Sequence, residues 1–179
     1  MSRVLVPLAE GFEEIEAIAI VDVLRRAGIA VKTAGLDASS VKGRSGISVM
    51  ADIRFGDASA EAFDSIVLPG GSPGYANLAR SAKLLAMIRD FHAQGKLVAA
   101  ICAAPTVLAK AGILGNVKAT VFPGMEAQIP VHSRERVVID GNVITSQGPG
   151  TAMEFALALV ERLAGKKKAD EVARGLVFR

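Results

Sequence analysis

One cysteine stands in the 179 residues, in the run Ala99-Ala100-Ile101-Cys102-Ala103-Ala104-Pro105-Thr106. A thiolate is the strongest nucleophile a protein side chain offers near neutral pH, so the surroundings of that residue decide what the chain can do. Cys102 lies where an apolar strand must turn sharply into a helix, as in the elbows that present a nucleophilic serine. Small neighbours on both sides permit the turn, and Pro105 suits the first turn of a helix. There the positive end of the helix dipole favours thiolate. An inert, buried cysteine fits the same apolar run, and spacing alone leaves both readings open.

Two other loops carry residue types that bear on a thiol. In Leu68-Pro69-Gly70-Gly71-Ser72-Pro73-Gly74 the paired glycines can offer backbone N–H groups to a developing oxyanion, together with the N–H of Ala103. A plain turn accounts for a double glycine equally well. The run lacks the spacing of a dinucleotide loop, and no Gly-Lys-Ser/Thr element follows it. In Glu10-Gly11-Phe12-Glu13-Glu14-Ile15-Glu16 the carboxylates open a helix. Complementing the dipole is reason enough for Glu13 and Glu14. Glu16 falls on the face turned toward the sheet end. Protonated, it would donate a hydrogen bond to a thiolate and lower the thiol pKa; ionised, it would repel the thiolate and raise it. The two groups would titrate as a pair. Histidine gives little help: His92 is expected to face solvent near Arg89 and Lys96, and His132 sits in a polar loop that nothing directs to the thiol.

These loops need elements that end in one place. Apolar strands are expected at Arg3 to Leu8, Ile29 to Ala34, Ser65 to Leu68 and Leu97 to Ile101, with later ones at Lys118 to Phe122, Arg136 to Ile139 and Val143 to Ser146. Gly43 to Asp52 reads as a small hairpin or edge strand. Helical spacing covers Glu13 to Ala27, Ser81 to Gln94, Ala103 to Ala111, Thr151 to Leu163 and Lys168 to about Gly175. Alternation of this kind predicts an α/β fold, a parallel sheet covered by helices on both faces, with ligands at the carboxyl ends of the strands.

Bulk properties narrow the class. Hydrophobic residues make up 51% and charged residues 22%, which suits one globular unit over residues 1–179. With no Trp and one Tyr, the core is expected to be aliphatic. The net charge of +3 is mild, and the basic run Lys166-Lys167-Lys168, followed by Asp170 and Glu171, reads as a solvated turn between helices; no specific nucleic-acid partner is expected. A single Cys allows no internal disulfide and points to a reducing, cytoplasmic setting. The first strand begins without a leader pattern, and Leu97 to Ala109 is far short of the ~20 apolar residues of a spanning helix, so no membrane partner is expected.

At these residues the chain resembles the ThiJ/PfpI superfamily, in the branch of the parkinsonism-associated protein DJ-one and its bacterial relatives. The resemblance rests on Gly11-Phe12-Glu13-Glu14-Ile15-Glu16, Val67-Leu68-Pro69-Gly70-Gly71, Ala99 to Thr106 and Thr145-Ser146-Gln147-Gly148-Pro149-Gly150-Thr151, in that order over nearly the whole length. It implies a flavodoxin-like three-layer sandwich in a single class I glutamine amidotransferase-like domain, and a homodimer with Ile15 near the contact. It implies that Cys102 is the nucleophile or oxidation-sensitive residue and Glu16 its protonated partner. Gly71 and Ala103 would supply oxyanion N–H groups, and Gly70, Ser146, Gly148 and Pro149 would border the pocket.

Two departures qualify the resemblance. Peptidase-like members carry His directly after the Cys, where this chain has Ala103, so proteolysis is not expected. Some members of the branch place a His before a Pro near the thiol, where this chain has Phe122 before Pro123. The activity implied is a glutathione-independent glyoxalase or protein deglycase acting on methylglyoxal, glyoxal and their early adducts, without cofactor or metal. The alternative is an oxidative-stress sensor and redox-regulated chaperone working through oxidation of Cys102. A flavodoxin-like cofactor-binding module is a third reading, which the missing phosphate loop argues against.

Overall fold

The computed structural model of the chain describes residues 2–178. β1 (Arg3–Leu8) turns into α1 (Glu14–Arg26), and β2 (Ala30–Gly35) is followed by a hairpin of β3 (Ser40–Lys42) and β4 (Ser48–Met50) and by β5 (Ile53–Arg54). Next come β6 (Ser65–Leu68), α2 (Gly74–Leu78), α3 (Ala82–Ala93), β7 (Leu97–Ile101) and α4 (Pro105–Lys110). The short pair β8 (Lys118–Ala119) and β9 (Val131–His132) precedes the hairpin of β10 (Val137–Asp140) and β11 (Val143–Ser146). α5 (Ala152–Ala164) and α6 (Lys166–Gly175) complete the order.

The main sheet runs β10-β11-β7-β6-β1-β2-β5. Its strands pair in parallel, apart from the antiparallel β10–β11 hairpin. Side chains alternate across it, because successive strand residues point to opposite faces. Val4, Val6, Leu8, Val67 and Ile101 pack beneath α1, α5 and α6, while Leu5, Ile66, Leu68 and Val98 pack beneath α3 and α4. Helices on both faces of a mostly parallel sheet make the expected three-layer, flavodoxin-like sandwich. From β1 the chain moves first toward β2 and then back to β6 and β7, which puts the switch point between β1 and β6. Ligand sites of such sheets open there, at the carboxyl ends of the strands.

Several expectations need correction. The core is not purely aliphatic: Phe12, Phe91 and Phe155 are among its largest fully buried side chains. The strand expected over Lys118 to Phe122 is shorter; Lys118–Ala119 pairs, with β9. Beyond it the backbone is drawn to the site, as the Thr120 N–H donates to Thr145 Oγ1 at 2.9 Å. The basic run opens α6 instead of forming a turn, with Lys166 paired to Asp170 and Lys168 to Glu171. His92 is half-buried, and its Nδ1 has no partner among the described residues. α2 and β5 are too short for a periodic pattern to reveal. Among the described residues no helix is long and apolar enough to cross a membrane.

Candidate active site

Cys102 directly follows β7 with φ of 65°, in the left-handed region that residues with a Cβ rarely adopt. Such a conformation costs on the order of 1–3 kcal/mol and persists only where neighbours over-determine it. Here the Cys102 N–H donates to the Ser146 carbonyl at 2.9 Å, and the Cys102 carbonyl accepts from the Phe122 N–H at 2.8 Å. β11 and the segment after β8 thus pin the elbow from either side. The thiol is 8% exposed. Burial pushes it up to about 12 and a negative charge on Glu16 adds to that, while the nearby N–H groups of Gly71 and Ala103 favour the thiolate and pull the other way.

Gly70 and Gly71 follow β6 and form the floor. A Cβ on Gly70 would lie 2.6 Å from Cys102 Cβ, 2.9 Å from the Ile101 carbonyl and 3.0 Å from Glu16 Oε2. A glycine is needed there for space. At Gly71 both space and φ of 90° demand it. Turning the chain this way aims the Gly71 N–H at the sulfur.

Glu16, on the first turn of α1, is fully buried. Its Oε2 accepts the Gly70 N–H at 2.7 Å, and its Oε1 finds no nitrogen or oxygen partner among the described residues. The thiol of Cys102 is the polar group left to it. Burial raises the carboxyl from the ordinary 4.5 to about 7, against the Gly70 N–H and the Cys102 thiol, which favour the ionised form. A carboxyl whose second oxygen lacks a donor is best satisfied carrying its own proton, and the sulfur is what that proton can reach. Once Glu16 is protonated, its repulsion of the thiolate disappears and a hydrogen bond replaces it.

The other two glutamates of this turn do more than complement the helix dipole. Glu13 pairs with Arg44 at 3.2 Å, and its N–H donates to the Gly70 carbonyl at 3.0 Å. Glu14 Oε1 accepts the N–H groups of Ser45 at 2.8 Å and Ile47 at 3.3 Å. Burial alone would raise Glu14, yet those donors hold it below 4.5. Both side chains clasp the β3–β4 turn over the start of α1, which fixes the turn carrying Glu16. Periodicity gave no sign of this clasp; the glycine at Gly43, where a Cβ would strike the Glu14 carboxyl, was its one trace.

The remaining predicted residues divide. Ser146 meets Cys102 through its carbonyl, whereas its hydroxyl turns away to the Arg136 carbonyl at 2.8 Å and to Thr151 Oγ1 at 2.6 Å. Gly148 is buried against the ring of Phe122. Pro149, half-buried, opens the turn that leads into α5. Phe122, 43% exposed, stands where a histidine base was considered. His132 lines a groove with Val121, Pro123, Glu126, Arg134 and Gln147.

Known proteins resemble the chain in sequence and in fold. The chain is 46% identical over 178 residues to Protein dj-1beta of Drosophila melanogaster, covering 97% of this chain and 95% of that one. It is 39% identical over 170 residues to a protein of Caenorhabditis elegans named glutathione-independent glyoxalase DJR-1.2, covering 93% and 91%. The solved structure titled Toxoplasma gondii DJ-1, oxidized, superposes with a TM-score of 0.96 at 42% identity over 99% of both chains. With the profile of the DJ-1/PfpI family matching residues 2–162, the chain belongs to that family.

Proposed function

We propose that the protein is a cysteine-dependent, glutathione-independent glyoxalase that also acts as a deglycase on early adducts of methylglyoxal and glyoxal. The observation that carries this reading is the pair of Glu16 and Cys102: a fully buried carboxyl raised to about 7, with one oxygen orphaned, against a thiol in a left-handed elbow. The pair shares one proton, and the reactive arrangement is thiolate beside carboxylic acid.

The thiolate adds to the aldehyde carbon of methylglyoxal. The alkoxide that forms takes the proton of Glu16, giving a neutral hemithioacetal and a Glu16 carboxylate. N–H groups of Gly71 and Ala103 stabilise the charge while it is on oxygen. The carboxylate then removes the proton from the former aldehyde carbon and returns it to the neighbouring carbon. The first carbon is oxidised by two electrons, the second is reduced by two, and a lactoyl thioester results. Water hydrolyses the thioester, releasing lactate and restoring the thiol. No outside oxidant or reductant is required, and glyoxal gives glycolate by the same steps. The nematode relative's name supports this reading.

A second reading, a stress sensor and redox-regulated chaperone, is favoured by the oxidised state named for the Toxoplasma structure. The same N–H groups that face the sulfur would hold the oxygen of an oxidised cysteine. One assay separates the two: glutathione-free conversion of methylglyoxal to lactate by wild type, Cys102→Ser and Glu16→Gln. The serine variant is expected to lose at least 10³-fold, and Glu16→Gln 10²- to 10⁴-fold, the usual worth of a positioned proton carrier. Absent turnover in wild type, with Cys102 still alkylated quickly at neutral pH, would transfer the assignment to redox sensing.

The protein is further proposed to work as a homodimer in the cytoplasm, where a lone reactive thiol stays reduced. Ile15 and Ile18 on α1 and Ile47 and Met50 at the β3–β4 hairpin are 60%, 49%, 60% and 70% exposed. A second copy of the chain covers these side chains in the expected dimer. A monomer in sedimentation at micromolar concentration would remove that part of the reading.

A further inference from the structure

Five of the seven phenylalanines, Phe12, Phe55, Phe63, Phe91 and Phe155, are 6% exposed or less; Phe122, next to the nucleophile, is 43% exposed. Its position is fixed through its backbone: the N–H donates to the Cys102 carbonyl at 2.8 Å, and its carbonyl accepts from Met125 N–H at 3.0 Å. One side of the ring lies on Gly148, so closely that a Cβ there would approach Cδ2 to 3.3 Å and Cε2 to 3.6 Å. Gly148 has extended backbone, with φ of 165°, so its need for glycine is the ring itself. The chain therefore gives up a side chain at 148 to seat an aromatic ring whose remaining surface is open to solvent. A flat apolar group laid on that open face would remove apolar surface from water.

A groove of about 590 Å³ is lined by Val121 and Pro123, on either side of Phe122 in sequence, and by Gln147 ahead of Gly148. Aromatic faces bind flat, apolar groups by offset stacking and area burial, without donors or acceptors. We propose that Phe122 is the specificity-determining residue of the pocket: its open face receives the substituent of the carbonyl compound that Cys102 attacks, and favours planar apolar substituents over hydrogen. This rests on the thiol-addition chemistry proposed above and names the substrate class within it, 2-oxoaldehydes carrying an aryl or alkyl group.

Because Phe122 reaches Cys102 through main-chain atoms, substitution of its side chain leaves those hydrogen bonds in place. The test has two arms. In the first, kcat/KM is measured for phenylglyoxal, methylglyoxal and glyoxal with wild type, Phe122→Ala and Phe122→Leu. The ratio of phenylglyoxal to glyoxal is expected to fall roughly three- to ten-fold in Phe122→Ala, the worth of one aromatic contact, and less in Phe122→Leu. In the second, alkylation of Cys102 by phenacyl bromide and by bromoacetone is timed, each rate divided by that of free glutathione. This reads the same wall without turnover, since the thiolate displaces bromide in both cases. The corrected preference for phenacyl bromide is expected to fall by a similar factor in Phe122→Ala. Ratios that stay constant in the alkylation arm overturn the assignment of Phe122, whatever the turnover. A shifted alkylation ratio with no dicarbonyl turnover in wild type upholds Phe122 and rejects the glyoxalase reading.

Discussion

Two glycines stand at the proposed pocket, and a side chain added at either would meet a neighbour. Gly70 makes the floor, where a Cβ would meet Cys102 Cβ at 2.6 Å and a main-chain carbonyl at 2.9 Å. Gly148 makes the wall, where a Cβ would meet the edge of an exposed ring at 3.3 Å. The floor is closed by groups that cannot move: backbone, a strained elbow and a buried carboxyl. The wall is closed by a side chain that can. Rigid crowding at the floor holds a reactive geometry, and soft crowding at the wall leaves room for different substrates.

The sharpest way to break this contrast is to add one methyl group to the floor. Gly70→Ala is expected to destabilise the protein by about 3 kcal/mol, because overpacking a rigid site forces backbone to shift. The same shift disturbs the donor to Glu16 Oε2 and the seat of Cys102. Alkylation of Cys102 at neutral pH should slow by at least ten-fold, measured alongside denaturant unfolding. A variant with unchanged stability and alkylation would mean that the floor is as soft as the wall.

A titration sharpens the same point with a smaller effect. Glu16 is raised from 4.5 to about 7, chiefly by burial, so the fold favours its protonated form. That preference is fully present below pH 4.5, is lost as pH rises toward about 7, and has no further effect above. The interval corresponds to about 3 kcal/mol at most, and less where the coupled thiol relaxes. Wild type should therefore lose stability relative to Glu16→Gln between pH 4.5 and 8. Gln keeps an oxygen for the Gly70 N–H and has no charge to bury. Urea midpoints of the two proteins, differenced at each pH, cancel the other titrating groups. A flat difference would place an ionised, well-solvated carboxyl at the floor and remove Glu16 as the proton carrier.

Much of the floor was legible in the sequence, because its determinants are local. Cys102 ends an apolar strand with alanines behind it, Gly70 and Gly71 end another, and Glu16 falls on the inward face of an amphipathic helix. The sheet needs no more than that to bring strand ends together. What escaped the reading depends on contacts distant in sequence. Whether Ser146 offers its hydroxyl or its carbonyl is decided by Arg136 and Thr151. The clasp of Glu13 and Glu14 on the β3–β4 turn joins residues about thirty apart. Lys118 to Phe122 reads as one strand because its residues have the right type, yet past Ala119 its hydrogen bonds go to Thr145 and Cys102. Composition cannot report a partner of that kind.

The smallest effect is expected at the wall, and its smallness is the point. Gly148→Ala asks the Phe122 ring to give way by a few tenths of an ångström, which an exposed ring can do. The backbone is already extended, so alanine adopts it without strain, and the loss of chain freedom in the unfolded state works in its favour. Stability should change by no more than about 0.5 kcal/mol in either direction. The displaced ring, however, no longer lies where a substituent on the bound carbonyl compound would meet it. Selectivity between phenacyl bromide and bromoacetone at Cys102 should therefore shift by about two-fold while their mean rate holds steady. Floor and wall would then differ as rigid and yielding crowding differ: the same methyl group unseats the nucleophile at Gly70 and only retunes its preferences at Gly148. Equal destabilisation by the two alanines would erase that difference and return Phe122 to the role of a packing residue.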